Sequence, residues 1–249
     1  MKYILFTLFL GISIVACAQI VNIEDRRTNF SDSISWHETA NLAFNWDKNE
    51  SFVFNASGGF QLEFQYKKRI LLSITHADFI RAGGKSFVNQ GFQHLRYTYL
   101  LNPIYSVEAF GQIQYNEQLL LKLRALAGSG IRIRVFKKGN NGAHLGVMYM
   151  YEHDEESNND IIHRDHRMSN YLTLGFQLNK HTKISSTTYY QPLFNNFSDF
   201  RLSTNSNLIF TLFKKFDFNI NFSLIYDSRA PENAPELTHK FNSGFKYTF

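Results

Sequence analysis

Charged side chains recur at every second position within several apolar stretches of the chain, and these residues are the best placed to do chemistry. The stretch from Leu120 to Val135 sets Lys122, Arg124, Arg132 and Arg134 among leucine, isoleucine and valine. Alternate side chains of a β-strand point to opposite faces, so these charges would share one face. The set of charges with this placement is Glu63, Arg96, Glu108, Lys122, Arg124, Arg132, Arg134 and Lys246.

Two functions fit a charged face of this kind. A basic constriction would select anions or small solutes. Alternatively, Glu63 and Glu108 would neutralise some of the arginines in an ionic network that fills and rigidifies the interior. The alternation alone does not decide between a lumen that conducts or binds a solute and a lumen that is filled by paired charges.

A second group of potential ligands lies between His153 and Met168, in a stretch that reads as a long outer loop. It comprises His153, Asp154, Glu155, Glu156, His163, Asp165 and His166. Imidazole and carboxylate groups together can hold a divalent metal. The spacing matches no fixed pattern such as H-E-x-x-H, so the interpretation is a solvated loop tip and no metal site is predicted.

A hydrolytic site would need a nucleophile, a base and an orienting group within reach of one another. His76 and Asp78 share one parity of a strand, whereas Ser73 and Thr75 lie on the other and would point away. His94 on a neighbouring strand could supply a partner. No catalytic residues are predicted. No cofactor site is predicted either, because the paired glycines of the chain sit at a bend and a turn and form no phosphate loop.

The elements that would position these residues are strands. From Trp36 onward, apolar and polar residues alternate almost without interruption, as in Phe216 to Tyr226. The chain is 16% aromatic, yet its mean hydropathy is −0.28. After residue 18 no window approaches the ~18 consecutive apolar residues of a membrane helix. About twelve strands of bilayer-crossing length predict an all-β transmembrane antiparallel up-and-down barrel over residues 36–249. With the C-terminus in the periplasm, the short inner (periplasmic) turns are predicted at Lys67-Lys68, Asn102-Pro103, 137–142, 179–181 and Lys214-Lys215. The longer outer loops are predicted at 153–168, 192–199 and 227–238.

The C-terminal strand shows the alternation most clearly. Phe245, Tyr247 and Phe249 fall on one parity, opposite Lys246 and Thr248. An aromatic face suits lipid, and a polar face suits a wet interior. These three aromatic residues are therefore predicted to form the C-terminal signal that the barrel-insertion machinery recognises.

The N-terminus predicts export. A charged start, the apolar run from Tyr3 to Val15 and the exit Ala16-Cys17-Ala18 predict a signal peptide at 1–18, followed by a short polar periplasmic lead-in at 19–35. A lipoprotein signal with Cys17 as the lipidated residue is the alternative. Cleavage after Ala18 would remove the only cysteine, and with it disulfides and thiolate chemistry.

The formal net charge of +5 is too mild to predict nucleic-acid binding. Outer-membrane lipids and the insertion machinery are the predicted partners, and no pattern predicts an oligomeric state.

Several short stretches in the middle of the chain carry a family resemblance. Residues 92–101, with Tyr97 and Tyr99 after Arg96, lead through the Asn102-Pro103 turn into a second strand at 111–117. A leucine-rich stretch then leads to Gly128-Ser129-Gly130. This arrangement resembles the salt-induced outer-membrane protein family, catalogued as domain-of-unknown-function family 481, over roughly residue 36 to the end. The resemblance implies an outer-membrane barrel and transfers no catalytic residues. The chain departs from the family pattern at Glu117-Gln118, where an Arg- and Asp-containing tip is usual.

Together these features predict an outer-membrane β-barrel that acts as an envelope structural protein or as a narrow pore with a basic, charge-lined lumen. An outer-membrane barrel enzyme, such as a hydrolase, is the alternative. A soluble secreted β-barrel that binds a ligand is a further alternative.

Overall fold

The computed structural model describes residues 34–48, 52–157, 161–213 and 216–247. The signal peptide predicted at 1–18, almost all of the lead-in at 19–35, the turn Lys214-Lys215 and Phe249 lie outside these ranges. The described residues form thirteen strands and one 3-10 helix at Glu117–Leu119. The strands are β1 (Ser35–Lys48), β2 (Phe52–Tyr66), β3 (Arg69–Ala82), β4 (Lys85–Leu100), β5 (Tyr105–Asn116), β6 (Leu121–Lys138), β7 (Asn141–Glu156), β8 (Ile162–Met168), β9 (Asn170–Gln177), β10 (Thr182–Leu193), β11 (Asn196–Phe213), β12 (Phe216–Asp227) and β13 (Leu237–Tyr247). In the described part of the chain, no helix combines the length and apolarity needed to cross a membrane.

Each strand pairs antiparallel with its neighbour in one up-and-down sheet. β8 and β9 occupy a single position in the sheet, because both pair with β7 and both pair with β10. They are separated only by Ser169, whose amide donates to the carbonyl of Met148 at 2.8 Å. The sheet therefore has twelve positions, which confirms the predicted all-β up-and-down fold of about twelve strands. Among the described residues, no hydrogen-bonded ladder joins β1 to β13.

The two faces of the sheet have inverted roles compared with a soluble protein. The outer face exposes large apolar side chains, including Trp46 at 78% and Phe245 at 67%. The inner face buries charged ones, including Glu108 and Arg167 at 0%. Alternation along each strand produces both faces at once, because successive side chains point in opposite directions.

Contacts between strands that are not neighbours show that the sheet curls round on itself. The Tyr171 hydroxyl on β9 donates to Glu108 on β5 at 3.0 Å, across the positions of β6 and β7. Arg201 on β11 contacts Glu152 on β7, across the positions of β8 and β10. In a flat sheet, side chains with two strands between them would be too far apart to make contact. The inner face therefore encloses a lumen.

Short connections are present at the predicted turns Lys67-Lys68, Asn102-Pro103 and 179–181, and the turn predicted at 137–142 is shortened to residues 139–140. Two of the predicted long outer loops are wrong. β7 continues to Glu156 and β8 begins at Ile162, so the predicted loop 153–168 is mostly strand. Only two residues separate β10 from β11, where 192–199 was expected as loop. In both places the polar side chains that suggested a solvated loop alternate along strands, and several of them pair inside the lumen.

Two local departures from simple alternation matter for the site. On β3 it is the apolar parity that faces inward, where Leu72 and Ile74 pack with Phe92 in a small buried cluster. On β6 the register shifts between Leu121 and Leu123, which marks a β-bulge. A bulge inserts one unpaired residue and reverses the faces of the residues beyond it.

Candidate functional site

The centre of the lumen holds a buried ionic network, here called the lumen network. It consists of Arg124, Glu152, Asp154, Arg167, Asp199 and Arg201, with Asp165, Asp227 and Arg229 at its outer margin. These residues come from β6, β7, β8, β11, β12 and the segment after β12. Through its contacts from β7 and β8 to β11, the network ties together strands that share no hydrogen-bonded ladder.

Arg124 anchors one side of the lumen network. Its Nη2 lies 2.6 Å from Asp154 Oδ2, and its Nε donates to the same carboxylate at 2.8 Å. Such two-pronged pairing fixes the orientation of both groups. Asp154 also accepts from Arg201 Nη2 at 3.1 Å, so one carboxylate bridges two arginines.

Arg167 anchors the other side. Its Nε lies 3.3 Å from Glu152 Oε1, its Nη2 donates to Asp199 at 2.8 Å, and its Nη1 donates to the backbone carbonyl of Gln191 at 3.3 Å. Arg201 links the two sides, because it contacts Glu152 as well as Asp154. Buried charges with this number of partners are fixed in place, since breaking any one contact would leave an uncompensated charge away from water.

A second buried cluster lies beside the network. Arg96 Nη1 lies 2.8 Å from Glu108 Oε2, and Thr98 and Tyr171 also donate to Glu108, at 3.1 and 3.0 Å. The Arg96 guanidinium stands 5.0 Å over the ring of Phe110. An apolar group packs around these polar contacts and consists of Phe110, Met148, Met150, Tyr171 and Tyr189. Only about 20 Å³ of free space is left between this cluster and the network, which is room for roughly one water.

Two glycines make this packing possible. A Cβ on Gly146 would lie 2.1 Å from the ring of Tyr171, and a Cβ on Gly130 would lie 2.3 Å from the carbonyl oxygen of Val147. Gly146 therefore leaves the space into which the Tyr171 ring fits on its way to Glu108.

Toward the inner turns the lumen widens into a cavity of about 670 Å³, here called the inner vestibule. Its charged lining is Glu63, Arg96, Arg132, Arg134, Lys137 and Lys183, and the turn residues Gly139 and Asn140 form its mouth. Arg132 Nη1 donates to the Tyr171 hydroxyl at 3.1 Å. Arg134 Nε is buried with no hydrogen-bond partner.

The inner wall differs on the side of β13 and β1. On β1, His37 pairs with Glu63, and the residues of its parity from His37 to Asp47 are exposed. On β13, Asn242, Gly244 and Lys246 are exposed on the inward row, whereas Thr238 near the start of the strand is buried. Most side chains on this wall are polar. The lumen network thus occupies one side of the lumen, and the other side is lined by accessible polar groups.

The structure brings together most of the charges singled out in the sequence. Glu63, Arg96, Glu108, Arg124, Arg132 and Arg134 face inward. Lys246 lies on the inward row of β13, opposite Asp217. Lys122 differs from expectation: its side chain is 64% exposed and lies 3.4 Å from Glu155 on the outer surface. The β6 bulge explains this difference, because Lys122 is the residue left out of the pairing between Leu121 and Leu123 and so does not share the inward face of Arg124.

Sequence reasoning missed Glu152, Asp154, Arg167, Asp199 and Arg201. Asp154 was assigned to a loop tip, yet it is 3% exposed and buried in the lumen network. One signal was available: Glu152, Asp154 and Glu156 share a parity, as strand residues facing one side must. In the described ranges, no cluster of three or more His, Cys, Asp or Glu side chains could hold a metal ion.

The candidate hydrolytic residues separate as predicted. His76 Nε2 lies 2.9 Å from Asp78, and Asp78 accepts from Gln90 at 3.0 Å, on the inner face. Ser73 and Thr75 contact Gln93 on the outer face. The imidazole and the two hydroxyls thus lie on opposite sides of the sheet.

A curled antiparallel sheet with an apolar outer surface and a charged lumen defines the chain as a membrane-type up-and-down β-barrel. The family described as "Protein of unknown function, DUF481" matches residues 49–249, and the chain belongs to this family. This confirms the resemblance seen in the sequence. No curated protein matches the chain.

Among solved structures, the chain is similar to the NanC porin, with a TM-score of 0.47 at 10% identity over 84% of this chain and 100% of the porin. It is also similar to the KdgM porin in complex with disordered oligogalacturonate, with a TM-score of 0.40 at 8% identity over 85% and 99% of the two chains. A third similar structure is OccK11 (OpdR) of Pseudomonas aeruginosa, with a TM-score of 0.39 at 8% identity over 85% of this chain and 83% of that chain.

Proposed function

We propose that this chain is an outer-membrane β-barrel that acts as a narrow, water-filled pore, exported with a signal peptide that is cleaved after residue 18. The observation that carries the proposal is the asymmetry of the inner wall. The lumen network fills one side with paired, buried charges, whereas most inward residues of β13 and β1 are accessible. A passage would therefore run along the polar wall and past the fixed network.

The outer surface supports insertion into a bilayer. Exposed apolar side chains such as Leu42, Phe44, Ile113 and Phe241 cover it. An Arg or Lys facing lipid at the bilayer midplane would cost ~2–4 kcal/mol, and the arginines of the network avoid this cost by facing inward. Outer-membrane lipids would contact this surface, and the barrel-insertion machinery would recognise Phe245, Tyr247 and Phe249.

A fully closed envelope barrel is the second candidate function. The observation that favours it is the completeness of the lumen network, in which Arg167 and Glu152 are both 0% exposed. Liposome swelling separates the two candidates. For the pore, liposomes that contain the wild-type chain swell in small amino acids and fail to swell in trisaccharides. A swelling rate equal to that of empty liposomes for every solute would favour the closed barrel.

Cysteine labelling tests the proposed orientation. Lys85 is the first residue of β4, directly after the outer turn that follows β3, and Asn140 lies at the inner turn after β6. A membrane-impermeant maleimide should label Lys85→Cys in intact cells, and should label Asn140→Cys only after permeabilisation. The reverse pattern would invert the barrel, and recovery of the protein in the soluble fraction would support the soluble secreted alternative.

A further inference from the structure

The charge balance of the inner vestibule sets it apart from the rest of the lumen. In the lumen network and its margin, four arginines meet five carboxylates: Arg124, Arg167, Arg201 and Arg229 with Glu152, Asp154, Asp165, Asp199 and Asp227. The vestibule lining contains five cationic side chains and a single carboxylate, Glu63. Of the five cations, Arg96 is already paired with Glu108 behind the wall.

Arg134, Lys137 and Lys183 surround a stretch of the cavity wall, here called the floor, that carries almost no side chains. Lys137 pairs across the strands with Gly142, Gly142 with Gly175, and Gly175 with Ser185. A Cβ added to Gly175 would meet no heavy atom within 4 Å, so this glycine borders open space. Two strand positions along, Arg134 lies opposite His144. The floor thus leaves room for a bound molecule between Lys137 and Arg134 on one side and Lys183 on the other.

From this excess of cations around an open floor, we infer that the inner vestibule binds a compact organic anion carrying two or more carboxylate or phosphate groups. Guanidinium groups pair with such oxyanions through two parallel hydrogen bonds. Arg134 lines the vestibule, so its guanidinium could pair with an oxyanion bound there. A cavity of about 670 Å³ is within the range of ~300–1,000 Å³ typical of small-molecule sites. Ile70, Leu72 and Leu100 add an apolar wall that would contact the carbon skeleton of the ligand.

The inference rests on the proposed function only for the side from which the anion enters. Binding itself needs neither a membrane nor conduction. It can therefore be measured on the full chain in neutral-detergent micelles, and a failure of binding is distinguishable from a failure of the pore.

Isothermal titration with citrate, acetate and glucose in low-salt, phosphate-free buffer tests the inference. Citrate is expected to bind at one site, acetate at least tenfold more weakly, and glucose not at all. Arg134→Gln should weaken citrate binding about tenfold or more, as expected for the loss of one charge-assisted hydrogen bond. Lys122→Gln is the matched control, because it removes one positive charge from the outer surface, and it should leave citrate affinity unchanged.

A second variant separates the cavity from its charge. Gly175→Leu keeps every charge but fills the floor, and it should abolish citrate binding. Its fold is checked by the same heat-modifiable migration in gels as the wild-type chain. Citrate binding that persists in both Gly175→Leu and Arg134→Gln, or that falls equally in Lys122→Gln, would overturn the site. Equal affinities for acetate and citrate would overturn the requirement for two anionic groups.

Discussion

Arg167 shows how a single side chain can hold a β-barrel lumen in one arrangement. It has no accessible surface, and its guanidinium is bonded to Glu152, Asp199 and the backbone of Gln191. The Coulombic gain of such a group roughly offsets its desolvation cost while all partners are present. Removing one member leaves its partners charged, buried and unpaired, so the arrangement resists piecemeal change.

Replacement of this arginine should therefore be costly. Arg167→Met is expected to lower the free energy of unfolding by about 3–5 kcal/mol, the range measured for breaking a buried ion pair. The measurement is urea unfolding in micelles, followed by tryptophan fluorescence. Lys122→Met breaks only an exposed pair with Glu155 and serves as the control, with stability expected to be unchanged. Equal losses in the two variants would contradict the role given to the lumen network.

Strands could be predicted from the sequence much better than the contacts between them. Alternation alone locates the strands and assigns six of the eight listed charges to buried or cavity-lining positions on the inner face. It fails at Lys122 because a bulge changes parity without any marker in the sequence. Arg201 and Glu152 could not be paired in advance, since two sheet positions lie between their strands and they meet only through the curvature of the sheet. The short loop between β7 and β8 was missed because polar residues inside a lumen resemble polar residues in water.

The fit of β9 against β7 offers a test of this curvature. Gly146→Ala would place a Cβ 2.1 Å from the Tyr171 ring, which is held by Glu108. Such overpacking is expected to cost ~1–3 kcal/mol of unfolding free energy. Gly175→Ala meets open space and should be neutral or slightly stabilising, because alanine has less backbone entropy to lose than glycine. Urea unfolding of both variants checks the prediction, and a neutral Gly146→Ala would show that Tyr171 is not fixed in this position.

The whole barrel combines an apolar exterior, a one-sided ionic network and an open inner vestibule in one sheet. These features follow from one pattern, in which alternate residues face lipid and lumen. In the proposed function the insertion machinery would recognise the C-terminal strand, where Phe245 and Tyr247 are exposed on the outer face.

Deletion of Phe249 should impair insertion and leave export intact, since the predicted signal peptide at 1–18 would be unaffected. Fractionation should then show the protein in the periplasm and a reduced yield in the outer membrane. Lys246→Gln, which alters the inward face of the same strand, serves as the control and should insert normally. An unchanged outer-membrane yield without Phe249 would rule out its role in recognition.

Single-channel recording in planar bilayers tests the central claim most directly. Purified wild-type chain, with insertion verified by protection from added protease, is recorded in a salt gradient. The one-sided network and the basic vestibule predict small, steady current steps with a reversal potential that favours the anion. A silent bilayer containing verified inserted protein, or large steps with no preference between anion and cation, would contradict the account of a narrow pore.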